Sequence, residues 1–146
     1  MFSTIVVGTD GSDTAEAAVA LAVDLARLSG ATLHIVNAYR ATGLAAEATG
    51  AGAAAGVDDT LAKAVTKELS GRTLASAAAS ADGVTHRTHA VEGDPAQAVL
   101  TVAESEGADV IVVGSKGMHG ARRLLGSVPS KVAHGATCHV LIAKTT

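Results

Sequence analysis

The chain has 146 residues, nearly half of them apolar, with one Phe, one Tyr and no Trp. That length suits one domain around a single core built from Ala and Val. The net charge of −3 is divided unevenly. Past Asp109 there are five cations (Lys116, Arg122, Arg123, Lys131, Lys144) and no acid, so the part before carries −8. A globally basic nucleic-acid binder is thereby disfavoured, and a local positive field suited to a small anion is favoured.

No apolar run reaches the ~20 residues a membrane helix needs. The opening MFSTIVVGTD has no basic segment and meets Gly8 and Asp10 too early for a secretory signal. A cytoplasmic protein is the expectation, and the single cysteine, Cys138, fits a reducing compartment as a small apolar filler near a strand.

In chain order, STIVVG (3–8) reads as a buried strand rich in β-branched residues. A helix follows, with Ser12 as N-cap, Asp13 and Glu16 in its first turn and Gly30 at its close. Ala15, Val19, Val23 and Ala26 give it one apolar face. ATLHIVNAY (31–39) is the second strand, and the Ala/Gly-rich 41–57 is expected to form a mobile loop. Residues 58–80 read as a helix weakened by Gly71, and VTHRTHAVEG (84–93) as a more polar strand near an edge.

Asp94 followed by Pro95 is the clearest helix start, and Gly107 ends that helix. DVIVVG (109–114) is apolar enough to be buried on both faces. SVPSKVAHGA forms a short helix capped by Ser127, and CHVLIAKT (138–145) is the last strand. Strands alternating with helices predict an α/β fold: a single doubly wound, Rossmann-like domain over residues 1–146, with a five-stranded parallel sheet covered on both faces.

In such sheets ligands bind beyond the C-terminal strand ends, where the strand order reverses. Two of these ends carry unusual chemistry, GTDGS (8–12) and GSKGMHGARRLLGS (114–127). Gly114 and Gly117 let the chain turn sharply. Gly126 and Ser127 lead into a helix N-terminus, whose free N–H groups and dipole attract anions. The Ser127 hydroxyl can donate to a phosphate oxygen, and Lys116, Arg122 and Arg123 raise the local potential. The stretch has the makings of a phosphate cradle. The sequences G-x-x-x-x-G-K-[ST], G-x-G-x-x-G after a strand, and G-x-S-x-G are all absent.

The glycine pattern resembles that of the universal stress protein family, whose nucleotide-binding members carry G-x-x-G, a spacer, then G-[ST]. Gly114, Gly117, Gly126 and Ser127 match it, and GSVPSKV, IVVGTDGS and GDPAQAV are similar to the family as well. The spacer Met118–Leu125 is one residue shorter than the family's, a deletion that Gly120 is expected to absorb.

The resemblance implies that Asp10 accepts hydrogen bonds from ribose hydroxyls, that Gly8 and Thr9 line the adenine with backbone, and that Ala38 helps wall the base. It implies Val113 and Gly114 under the ribose, Gly117, Gly126, Ser127 and Val128 on the phosphates, and Ser130 as a further polar contact. Lys116 and Arg123 are candidates for direct phosphate contact. ATP, with or without Mg²⁺, is the implied ligand, and pairing of the apolar last strand with its copy implies a homodimer.

Three other readings remain open: a cyclic-AMP-binding member of the same family, an interaction module that binds no nucleotide, and a response regulator. The last lacks the acidic pair and phosphoacceptor Asp that it would need. No catalytic nucleophile with an evident base is visible, so binding is expected, with at most slow ATPase activity. The six histidines fall in separate elements or, like His86 and His89, on opposite strand faces, and no metal site is expected.

Overall fold

The structure, a computed structural model, describes residues 1–40, 59–116 and 126–145. The expected loop at 41–57 and the cradle residues Gly117, Gly120, Arg122 and Arg123 lie outside the described residues. The elements are β1 (Thr4–Gly8), α1 (Asp13–Ser29), β2 (Thr32–Tyr39), α2 (Asp59–Ala79), β3 (His86–Glu92), α3 (Pro95–Glu106), β4 (Val110–Gly114), α4 (Val128–Gly135) and β5 (His139–Ala143). The strands form one parallel sheet in the order β3-β2-β1-β4-β5. This is the doubly wound α/β arrangement expected.

Alternation along β1 explains the two layers of core. Ile5 and Val7 pack with Ala18, Val19, Ala22 and Val23 of α1 and Leu74 of α2. Val6, between them, packs on the other face with Val99 and Val102 of α3 and Val132 of α4. Helices therefore cover both faces, and the buried middles of β1 and β4 are apolar because neither face meets water there. On α1 the buried face is Ala18, Val19, Ala22, Val23 and Ala26. Ala15, expected on that face, is only half-buried and looks into the crevice described below.

The caps stand where the sequence places them. Ser12, Asp94 and Ser127 accept from Ala15, Gln97 and Ser130 amides respectively, while Gly30 and Gly107 close α1 and α3 in the left-handed region. Asp109 ties the chain start to β4, its carboxylate accepting from the Ser3 and Thr4 amides at 2.7 and 2.9 Å.

The sheet order places the reversal between β1 and β4. From β1 the chain winds outward to β2 and β3, then crosses back to β4 and β5. The C-terminal ends of β1 and β4 thus diverge into helices on opposite faces, leaving a crevice between them.

Candidate functional site

The crevice encloses about 750 Å³ of space, part of it open solvent. Its walls come from the ends of three strands and the starts of three helices. Gly8, Thr9 and Asp10 leave β1; Val36, Asn37 and Ala38 come from β2; Val113, Gly114 and Lys116 leave β4. Ser12 at the α1 N-cap, Thr14 and Ala15 of α1, Pro95 and Val99 of α3, and Val128 and Pro129 of α4 complete it.

Close packing dictates the glycine at the end of β1. A Cβ on Gly8 would lie 2.9 Å from Val99 Cγ2, so the strand approaches α3 there only without a side chain. The next residues are held by their own side chains. The Thr9 amide donates to the Val36 carbonyl at 2.9 Å, and the Thr9 hydroxyl accepts from the Gly11 amide at 3.1 Å. Gly11 takes φ +80°, and the turn brings the Ser12 amide and hydroxyl onto Asp10 Oδ1. Ser12 Oγ also accepts from the Ala15 amide, so one hydroxyl both caps α1 and orients Asp10.

Asp10 Oδ2 lies 3.9 Å from Lys116 Nζ across the crevice mouth. Partial burial pushes the Asp10 carboxyl upward, but the Ser12 hydroxyl, the Ser12 amide and Lys116 outweigh it and leave the group below the usual carboxylate range. Asp10 is an anion at neutral pH, with an oxygen turned outward to accept hydrogen bonds. Lys116, two thirds exposed, keeps a cation at the same mouth.

Asn37 is the buried member that the sequence reading missed. Its amide nitrogen donates to the Thr9 carbonyl at 2.7 Å, and its oxygen accepts from Ser70 Oγ of α2 at 2.6 Å. It pins the β1 turn to β2 and α2. The signal was present: a polar residue directly after the apolar pair Ile35-Val36 near a strand's C-terminal end.

Asp94 performs a similar office on the other side. Its Oδ2 caps α3, while its Oδ1 meets Arg40 at 2.9 Å and Lys131 of α4 at 3.5 Å. The Gln97 amide, then Lys131 and Arg40, hold its carboxyl below the ordinary range against a small burial cost. Ser115 fixes the exit of β4: its amide donates to the Ala143 carbonyl at 2.9 Å, and its hydroxyl lies 3.1 Å from both the Thr145 amide and the Thr145 hydroxyl.

Of the site residues read from sequence, Gly8, Thr9, Asp10, Ala38, Val113, Gly114, Lys116 and Val128 line this crevice together. Gly126, Ser127 and Ser130 stand at the start of α4, beside the lining residues Val128 and Pro129 but not among them. Gly117 and Arg123 lie outside the described residues. The sequence reading did not name Ser12, Thr14, Ala15, Val36, Asn37, Pro95, Val99 or Pro129 as lining.

The histidines need a correction. His34 and His89, placed in separate elements by the sequence, are neighbours across β2 and β3, with Nδ1 of one 2.8 Å from Nε2 of the other. Separate strands were mistaken for separate places.

A doubly wound sheet with a crevice at its reversal, one anionic and one cationic side chain at the mouth and a helix start on its wall, defines a Rossmann-like α/β class with a candidate ligand site. The family model for the universal stress protein family matches residues 1–144, and the chain belongs to that family. It is 36% identical over 151 residues to universal stress protein YxiE of Bacillus subtilis, covering 99% of this chain and 100% of that one. It is equally 36% identical, over 160 residues, to universal stress protein Rv1636 of Mycobacterium tuberculosis, covering 99% and 98% of the two chains. Among solved structures, a universal stress protein in complex with cAMP superposes with a TM-score of 0.79 at 31% identity, covering 99% of both chains.

Proposed function

We propose that the crevice binds an adenine nucleotide, ATP above all, and that the protein acts by that binding in the response to stress. The observation that carries the reading is the pairing of two chemistries in one cleft. Val36, Ala38, Pro95, Val99 and Val113 offer apolar walls to a base, while Asp10 offers an oriented, ionised acceptor to ribose hydroxyls. The start of α4 and the Lys116 ammonium supply positive potential where phosphates would extend. Gly126, Ser127, Val128 and Ser130 are assigned to this phosphate end, with Gly114 under the ribose. Asp10 is the one carboxylate among the described lining residues and is the group that would meet a nucleotide-bound Mg²⁺ through water.

Cyclic AMP is the second reading, favoured by the cAMP complex of a structure 31% identical to this chain. Calorimetry with ATP and cyclic AMP in parallel, with and without Mg²⁺, tests both. Tighter binding of ATP that weakens in Lys116→Ala supports the first reading. Tighter binding of cyclic AMP, with little response to Lys116→Ala, supports the second. No heat with either nucleotide refutes both.

The protein is further proposed to form a homodimer in the cytoplasm. β5 is an edge strand with Leu141 exposed, which suits pairing with a second copy. No helix among the described residues is long and apolar enough to cross a membrane. Burial pushes the Cys138 thiol up in pKa, as suits a packing residue rather than a reactive one.

A further inference from the structure

The sheet carries a second cluster of chemistry at its other end. His34 stands near the start of β2, about 13 Å along the strand from Ala38 in the crevice. It lies directly opposite Arg87 of β3, so His89, two residues further along, shares its face. That face also carries Val36 and is covered by α3, whose last residue is Glu106. The three side chains cluster, with the His34 ring between the other two. His34 Nδ1 is 2.8 Å from His89 Nε2, His34 Nε2 is 4.0 Å from a Glu106 carboxylate oxygen, and one ligand atom of each residue lies within 4.8 Å of the others.

We propose that His34, His89 and Glu106 form a binding site for a zinc-type divalent cation, joining β2, β3 and the end of α3.

The donor set is the first reason. Two imidazoles and a carboxylate are a known tetrahedral zinc complement with one position left for water. Imidazole nitrogen selects zinc and its transition-metal neighbours over magnesium or calcium.

The second reason is that hydrogen bonding among the three leaves a polar mismatch. With His34 Nδ1 donating to His89, the bare Nε2 lone pair faces a carboxylate. With His89 donating instead, the His34 Nε2–H points across 4.0 Å, beyond hydrogen-bond reach. A cation between His34 Nε2 and the Glu106 carboxylate removes that mismatch, and His89 joins it by releasing His34 Nδ1.

The third reason is helix polarity. Glu106 ends α3, where the dipole disfavours an anion, and a bound cation would relieve that. Burial, reinforced by His89 and Arg87 and opposed by Glu106, also lowers the His34 pKa, keeping the imidazole in its neutral, liganding form. Arg87, exposed on the same strand face, is an unfavourable charge for a cation at His34.

Tetrahedral bonds of about 2.0–2.1 Å set ligand atoms roughly 3.3 Å apart. With the ion on His34 Nε2, the Glu106 carboxylate, one third exposed, would close in from 4.0 Å by roughly 0.7 Å, and a His89 ring nitrogen would leave His34 Nδ1 and move in from within 4.8 Å. The resulting clip would hold edge strand β3 to α3.

The test uses the full chain freed of metal by chelation, titrated with Zn²⁺ by calorimetry and with Co²⁺ by visible absorption. The site predicts one metal ion per chain, tetrahedral Co²⁺ bands, and a thermal midpoint that rises with Zn²⁺. His34 is 3% exposed and its replacement threatens folding, so His89→Gln and Glu106→Gln carry the test. Each should weaken Zn²⁺ binding by at least about 100-fold, beyond the ~10–100-fold typical of losing an outer partner. Circular dichroism of the metal-free variants confirms that they remain folded. Absence of Zn²⁺ binding in the unsubstituted chain, or binding unchanged in both folded variants, overturns the proposal. The latter result would place the metal on other histidines.

Discussion

Gly8→Ala is the most direct probe of how the crevice is built. The added methyl would lie 2.9 Å from Val99 Cγ2, roughly 0.9 Å inside ordinary carbon–carbon contact. Val99 is 3% exposed and held between α3 and the sheet, so it yields only by leaving its rotamer or moving α3. Overpacking of this kind costs about 1–3 kcal/mol, or roughly 2–12 °C in Tm for a chain of this size. Val99→Ala alone should cost a similar ~1–3 kcal/mol, because two buried methyls are lost. In the double variant the clashing methyl is gone, so the total loss should fall short of the sum by at least about 0.5 kcal/mol. Urea unfolding followed by far-ultraviolet circular dichroism is the assay, since the chain has no Trp. Additivity within ~0.3 kcal/mol would show that Gly8 and Val99 do not press on one another, and the reasoning would fail.

Asn37→Ala removes both the donor to Thr9 and the acceptor of Ser70, and should cost about 2–4 kcal/mol in urea unfolding through two buried polar groups left unpaired. Asp10→Ala should lower nucleotide affinity about tenfold in calorimetry while changing stability little, since the side chain is mostly exposed. Because the folded pKa of Asp10 is depressed, its contribution to stability is present above the unfolded value near 3.9 and is lost as pH falls through the lower folded value. A carboxylate resonance followed by NMR should therefore titrate below that of Asp10 in the unfolded chain. Under the proposed homodimer, the unsubstituted chain should sediment as a dimer at micromolar concentration and Leu141→Lys, which places a charge on the exposed edge of β5, as a monomer.

Much of the fold was legible because local chemistry and tertiary structure agree. Ser12, Asp94–Pro95, Ser127, Gly30 and Gly107 announce helix ends that the structure keeps. The continuous apolar runs of β1 and β4 announce the two central strands. α2 was legible as a helix but not as a surface. It buries Ala62, Thr66, Ser70 and Leu74, while Leu61, Val65 and Leu69 face outward. Thr66 satisfies its hydroxyl on the Ala62 carbonyl, and Ser70 on Asn37, so polar residues occupy the inner face and hydrophobic patterning misleads.

The site was legible where backbone and charge define it, at Gly8, Thr9, Asp10, Gly114 and Lys116. It was illegible where chain-distant apolar groups converge, as Pro95, Val99 and Pro129 do, because one-dimensional order does not report which helices lean on a strand end. The His34–His89 contact was hidden for the same reason: register between β2 and β3 brings them together across 55 positions of sequence.

A co-crystal structure with a non-hydrolysable ATP analogue tests the central claim most directly. The base should rest among Gly8, Ala38, Val99 and Val113, with the ribose on Asp10 and the phosphates toward Lys116, Ser127 and Val128. Saturating nucleotide with the crevice still empty, or bound on another surface, would contradict it.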